Sequence, residues 1–279
     1  RYLEGTHFVF DRERYYQDGS IVSLNWDLDK ADMAAMMCLP YRLAADRKLP
    51  FYVILKEFQS IMFADEYEDL FEVMEEMFRE RFEKPSPSFI ITGSRVNAMK
   101  LIFAERRFFY RQVVHLPIQP VENREIIDHI VRGFLYGSGK SFERDLAMGA
   151  CELFKCNMWY VNHLASICDL MSKGFINEAV MTDALRSMIS IHEPRFLNMI
   201  NDLTDHQVSL MRAVLDGVVK FSASDVIEKY HLNSSANVRR VKDALKKKEV
   251  LTFNEKDEPV ILDPLFEYWV STFYFKIKR

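Results

Sequence analysis

Two short apolar runs, Phe51–Leu55 and Phe89–Ile91, flank a long amphipathic stretch, and this arrangement restricts the fold more than any other part of the 279-residue chain. Both runs are rich in β-branched and aromatic residues and are bounded by proline or a polar break, as in strands buried on both faces of a parallel sheet. From Asp65 to Glu83, Leu70, Phe71, Met74, Met77, Phe78 and Phe82 recur at steps of three and four, the pattern of a crossover helix. The three pieces make a strand–helix–strand unit. Open α/β sheets bind ligands beyond the carboxyl ends of their strands, so Lys56-Glu57 and Thr92-Gly93-Ser94 are expected on one rim.

Around this unit the chain divides by pattern. Ile21–Trp26 reads as a strand, followed by a helix with Asp27, Asp29 and Asp32 as candidate caps that stops at Pro40 and resumes at Tyr41–Ala45. Asn97–Phe103 reads as a short helix and Arg111–Pro117 as a last strand. From about Pro120 every segment has helical spacing. Beyond Ile191, Thr204 and Gln207 open a helix that Gly217 ends, Ser222 or Ser224 caps a second, and Asn233-Ser-Ser caps a third. Val250–Phe253 and Val260–Leu262 then form a hairpin across Asn254–Pro259. Three helices and a hairpin in that order describe a winged helix.

Composition excludes several classes. With 49% hydrophobic residues, nine Gly and nine Pro, the chain can bury a real core and is not linker-rich. A net charge of -4 argues no general affinity for nucleic acid or membrane, and no apolar stretch approaches a bilayer span. The acidic run from 65 to 83, nine acids against two arginines, reads as the solvated face of a helix. Cys38, Cys151, Cys156 and Cys168 form no CxxC pair and read as reduced, packed thiols of a cytoplasmic protein. Seven scattered histidines lack ligand spacing, so no metal site or catalytic triad is assigned.

An apolar strand ending in Glu57-Phe58-Gln59, then a helix, then Ile90-Ile91-Thr92-Gly93-Ser94 and an apolar helix start, resembles the second half of a P-loop ATPase core. The likeness is to the AAA-like archaeal-type and signal-transduction (STAND) ATPases. It implies an α/β plus α fold: an incomplete parallel-sheet P-loop NTPase core (1–120), a helical lid (121–194) and a C-terminal winged helix (195–279). By the same resemblance Val53–Glu57 is the Walker B strand and Glu57 orients the attacking water. Ser94 and Arg111 join Glu57 as catalytic residues, while Lys56 and Thr92 contact the nucleotide. Lys56 stands where such ATPases carry the aspartate that holds Mg²⁺ through its water shell, and a cation there repels the metal. Asn157-Met-Trp-Tyr160 falls where many of them carry a proline-aromatic pair, with Met158 in place of the proline. Leu262–Trp269 is similar to their closing Asp-Pro-aromatic-Trp stretch, read here as aromatic packing.

The phosphate-loop motif itself is missing. Gly137-Ser-Gly-Lys-Ser141 has the wrong glycine spacing and follows a helical rather than a strand pattern, so it reads as a loop between lid helices. The phosphate loop is expected upstream of Arg1. Arg239, Arg240, Lys242, Lys246, Lys247 and Lys248 against Asp243 give the third winged-helix helix a charge of +5. Arg239, Arg240 and Lys242 are its candidate DNA contacts. The leading expectation is an ATP-binding, nucleotide-controlled protein with ATP and Mg²⁺ as cofactors and the winged helix as output, its nucleotide held between core and lid. The alternatives are a decayed core serving as a DNA-binding or protein-interaction module, or a core that assembles homo-oligomers.

Overall fold

The computed structural model describes residues 2, 6–9, 12–19, 23–24, 29–80, 85–103, 108–116 and 121–277. Ile21, Val22, Asn25, Trp26, Asp27, Arg81, Phe82, Glu83, Pro117 and Pro120, which figure in the sequence reading, lie outside them. The chain forms two compact units, residues 1–116 and 117–279.

In the first unit, β1 (Phe8–Val9) pairs antiparallel with β2 (Ser23–Leu24), either side of α1 (Arg12–Asp18). Helix α2 spans Lys30–Arg47, with Asp29 as its cap accepting the Asp32 amide. It does not stop at Pro40. An interior proline removes a backbone bond at a cost of about 3 kcal/mol, and packing against α3 (Tyr67–Arg79), with Met37 set against the cluster that holds Phe71 and Met74, offsets it.

Strands β3 (Tyr52–Leu55) and β4 (Ser88–Ile91) pair in parallel, Tyr52 opposite Ser88 and Leu55 opposite Ile91, with α3 as the crossover. One face of this pair is covered and the other is open: Tyr52, Ile54 and Ile90 are 74%, 56% and 46% exposed. The expectation of strands buried on both faces is thus corrected. A sheet of two strands has one packed side here, and the alternation of exposed and half-buried residues follows it. A short turn of 3₁₀-helix (Phe58–Phe63) leaves β3, and α4 (Val96–Phe103) follows β4. Phe58, Phe71, Met74, Ile102, Phe108 and Phe109 form the unit's aromatic core. No strand forms over residues 111–116. Phe109 and Arg111 take left-handed backbone and the Phe109 N–H bonds the Glu75 carboxylate at 2.6 Å, so the chain turns where a strand would have to run straight.

The second unit begins with α5 (Asn123–Gly133) and a π-helical turn (Phe134–Ser138). Then come β5 (Ser141–Phe142), α6 (Arg144–Leu153), α7 (Met158–Met171), β6 (Phe175–Ile176) and α8 (Glu178–Asn201). The sequence pattern gave no sign of the two-residue parallel pair β5–β6. Helix α9 (Asp205–Leu215) opens on a complete capping box of Thr204 and Gln207. Helix α10 (Ser224–Lys229) starts after Ala223 with no side-chain cap, in place of the serine cap expected. Helix α11 (Ser235–Lys247) is capped by Ser234, and β7 (Leu251–Phe253) pairs antiparallel with β8 (Pro259–Ile261). The final helix α12 (Pro264–Trp269) buries Phe266 and Trp269 against Phe196 of α8. One continuous core runs from Ile126 to Val270.

Candidate functional site

The carboxyl ends of β3 and β4 meet through backbone bonds. The Thr92 amide donates to Leu55 O at 2.9 Å and the Phe58 amide donates back to Thr92 O at 3.0 Å. These two bonds carry the parallel register past the strands and set Lys56-Glu57 beside Thr92-Gly93-Ser94, as the strand order predicts. Phe58 is buried and stacks on Phe71 and Phe103, fixing the chain immediately after Glu57.

Glu57 itself adopts left-handed backbone, φ 50°, which is uncommon outside glycine. Its Oε2 accepts from Ser94 Oγ at 2.5 Å and from Gln59 Nε2 at 2.7 Å. The Ser94 hydroxyl, then Gln59, hold the carboxyl below the usual carboxylate range, with further help from the Ser94 amide and the Arg95 charge. An ionised, solvent-facing carboxylate therefore sits at the rim, oriented by two donors.

Sequence reasoning missed Gln59 and the reason for Gly93. Gln59 is buried, and its Oε1 has no hydrogen-bond partner among the described residues because it faces Gly93. The signal was present as a glutamine two residues beyond Glu57. Its burial depends on the 3₁₀ turn, which periodicity does not show.

The remaining candidates divide. Thr92 and Lys56 are exposed on the same rim, and Lys56 has no ion-pair partner among the described residues. Arg111 is exposed, its guanidinium 5.2 Å from the Tyr110 ring centroid, and it bonds neither Glu57 nor Ser94. The rim does not fit a protein-held Mg²⁺. Among the described residues Glu57 is its one carboxylate, already accepting two hydrogen bonds, and the neighbouring position is an ammonium.

Gly137–Ser141 is explained without phosphate. It follows helix α5 through the π-turn, and Lys140 Nζ donates to Asp169 O at 2.5 Å and pairs with its carboxylate at 2.9 Å. His7, Asp29 and Asp32 also cluster, but their geometry is that of a helix start. Asp29 caps α2, while Asp32 accepts the His7 amide and Nδ1, both at 2.8 Å.

On the winged helix, Arg239 and Arg240 are exposed on α11 and have no partner among the described residues. Lys242 is different. Its ammonium pairs with Asp257 at 3.3 Å and lies 4.0 Å from the Phe253 ring centroid, so the hairpin holds it. The hairpin tip carries Glu255, Asp257 and Glu258 against Lys256, which leaves α11 as the positive element of a domain close to neutral.

Residues 194–272 match a family model described as "probable winged helix domain". No curated protein matches the sequence. Among solved structures, a Walker-type ATPase of Pyrococcus abyssi superposes with a TM-score of 0.62 at 15% identity, over 92% of this chain and 75% of its own. The ORC2 protein of Aeropyrum pernix, solved as ADPNP-ADP complexes, superposes with a TM-score of 0.51 at 14% identity, over 90% of this chain and 69% of its own. The chain thus has the fold of the archaeal Walker-type P-loop ATPases, ending in a winged helix domain.

Proposed function

We propose that this chain is an ATP-binding protein whose nucleotide state controls its C-terminal winged helix. The observation that carries the reading is the Glu57 carboxylate, held ionised at the carboxyl ends of two parallel strands by Ser94 and Gln59. A carboxylate so placed is suited to orient a water, and Ser94 and Thr92 offer hydroxyls beside it. Lys56 takes a role opposite to that of a metal ligand: its ammonium answers phosphate charge directly. The reading divides the chain into an ATPase-like core to about residue 120, a helical block to 194 and the winged helix beyond. Arg111 belongs to it only if nucleotide draws the side chain off Tyr110. Four free cysteines support a reducing, cytoplasmic setting, and no helix among the described residues is long and apolar enough to cross a membrane.

Equilibrium binding of ATP to the full-length encoded protein, with and without Mg²⁺, tests this reading. Binding that persists without Mg²⁺ and weakens about tenfold or more in Lys56→Ala is expected, since a charge-assisted bond is worth about 1.5–3 kcal/mol. The Glu57→Gln variant should retain binding and lose any hydrolysis. Absence of ATP binding to the intact protein refutes it.

A second reading, a core that no longer uses nucleotide and a winged helix that binds DNA or a protein, draws on the exposed Arg239 and Arg240, which have no partner among the described residues. Salt-dependent binding of duplex DNA that Arg239→Ala/Arg240→Ala weakens, with no response to ATP, would favour it. Salt-independent behaviour removes DNA from consideration. Homo-oligomerisation is read separately, from sedimentation mass with and without ATP.

A further inference from the structure

Helix α6 ends in a way that brings three sulfur-bearing residues to one cavity. After Leu153 the chain turns through Lys155 and Cys156, both with left-handed backbone, φ 50° and 54°. The Cys156 amide closes the turn on Cys151 O at 2.7 Å. Asn157 then caps α7, whose first residue is Met158. Two consecutive non-glycine residues in this region are costly, of the order of 1–3 kcal/mol each, and such conformations gather at functional sites.

The cavity at this turn encloses about 370 Å³ and is lined by Cys151, Cys156 and Met158, with Asn123 and Glu152 beside them. Cys151 is fully buried and Cys156 is half-buried, and both line this one cavity. Cys156 Sγ also donates to Asn123 Oδ1 at 2.9 Å. Packing alone accounts for a buried cysteine. It does not account for a second cysteine and a methionine lining the same cavity at a turn closed by the Cys156 amide on Cys151 O.

We propose that Cys151, Cys156 and Met158 form a binding site for a soft, thiophilic cation of the Cu(I) class. Two thiolates and a thioether are the donor set that selects Cu(I) over hard cations, which prefer oxygen. Binding forms two metal–thiolate bonds and one thioether bond, releases the two thiol protons to solvent, and changes no oxidation state. Asn123 orients the Cys156 sulfur. The site lies wholly in the second unit and is independent of the nucleotide reading.

The test is competition for Cu(I) between the full chain and a chromophoric Cu(I) chelator under anaerobic conditions. The expected result is uptake of one Cu(I) per chain. Cys156→Ser and Cys151→Ala should each weaken uptake by at least about a hundredfold and Met158→Leu about tenfold, since even supporting groups around metals cost 10–100-fold when lost. Cys38→Ser, at a cysteine far along the chain, should behave as wild type. X-ray absorption of the loaded protein should show sulfur neighbours only. Should Cys151→Ala fail to fold, Cys156→Ser, a near-isosteric change at a half-buried position, still decides. Failure of the wild type to take up Cu(I), wild-type uptake by Cys156→Ser, or a first shell of nitrogen and oxygen each overturns the proposal.

Discussion

At Gly93 an added Cβ would lie 2.3 Å from Gln59 Oε1 and 2.4 Å from Met99 Sδ, in a region where both side chains are packed. Gly93→Ala should therefore displace Gln59 from Glu57 and destabilise the first unit by about 1–3 kcal/mol, the usual cost of overpacking. An unchanged urea midpoint for that unit would contradict the geometry. The pairing of Glu57 with Ser94 was legible in the sequence because it needs only the strand order: two parallel strands must end on the same side. Gln59 was not legible, since its burial comes from a turn with no periodic signature. The strand expected from Arg111 failed for a related reason. Val113, Val114 and Leu116 read as strand, but the left-handed residues at 109 and 111 and the Glu75–Phe109 bond turn the chain aside.

Among the elements, caps explain what could be read and what could not. Thr204 and Ser234 cap α9 and α11 by bonds within three residues, so local sequence sufficed. Pro40 misled because its local cost is outweighed by packing against α3, which begins only at Tyr67, and local sequence cannot show that. The packing of α7 on α8 shows the same dependence on distant partners. His192 of α8 stacks on Phe196 and meets His163 and Trp159 of α7, and its Nε2 is buried without a hydrogen bond among the described residues. Burial, then the charges of Arg195 and His163, pushes its pKa below the usual 6.5, with Asp263 opposing. The unfolded chain thus binds a proton more readily than the folded one. Stability rises with pH across this interval and is lost as pH falls from about 6.5 toward the folded value. Replacing His192 with phenylalanine, which keeps the stack on Phe196, should flatten this part of the profile. A thermal-melting series between pH 7.5 and 5.5 checks it, and parallel curves for wild type and variant would refute it.

For the molecule as a whole, two units carry two kinds of chemistry. The first holds an oriented carboxylate, hydroxyls and a lysine without an ion-pair partner among the described residues at one strand-end rim; the second holds a winged helix in which α11 carries a dense cluster of positive charge. The open face at Tyr52, Ile54 and Ile90 was the feature least legible beforehand, because apolar runs look alike whether one face is covered or two. The rim is the claim on which the functional reading depends. Hydrogen exchange of the full-length encoded protein, read with and without ATP, addresses it at residue level. The account predicts slowed exchange at Glu57–Ser60 and Thr92–Arg95, with a change at α11 if the winged helix responds to nucleotide. ATP that binds while leaving the exchange of both rim segments unaltered would contradict it.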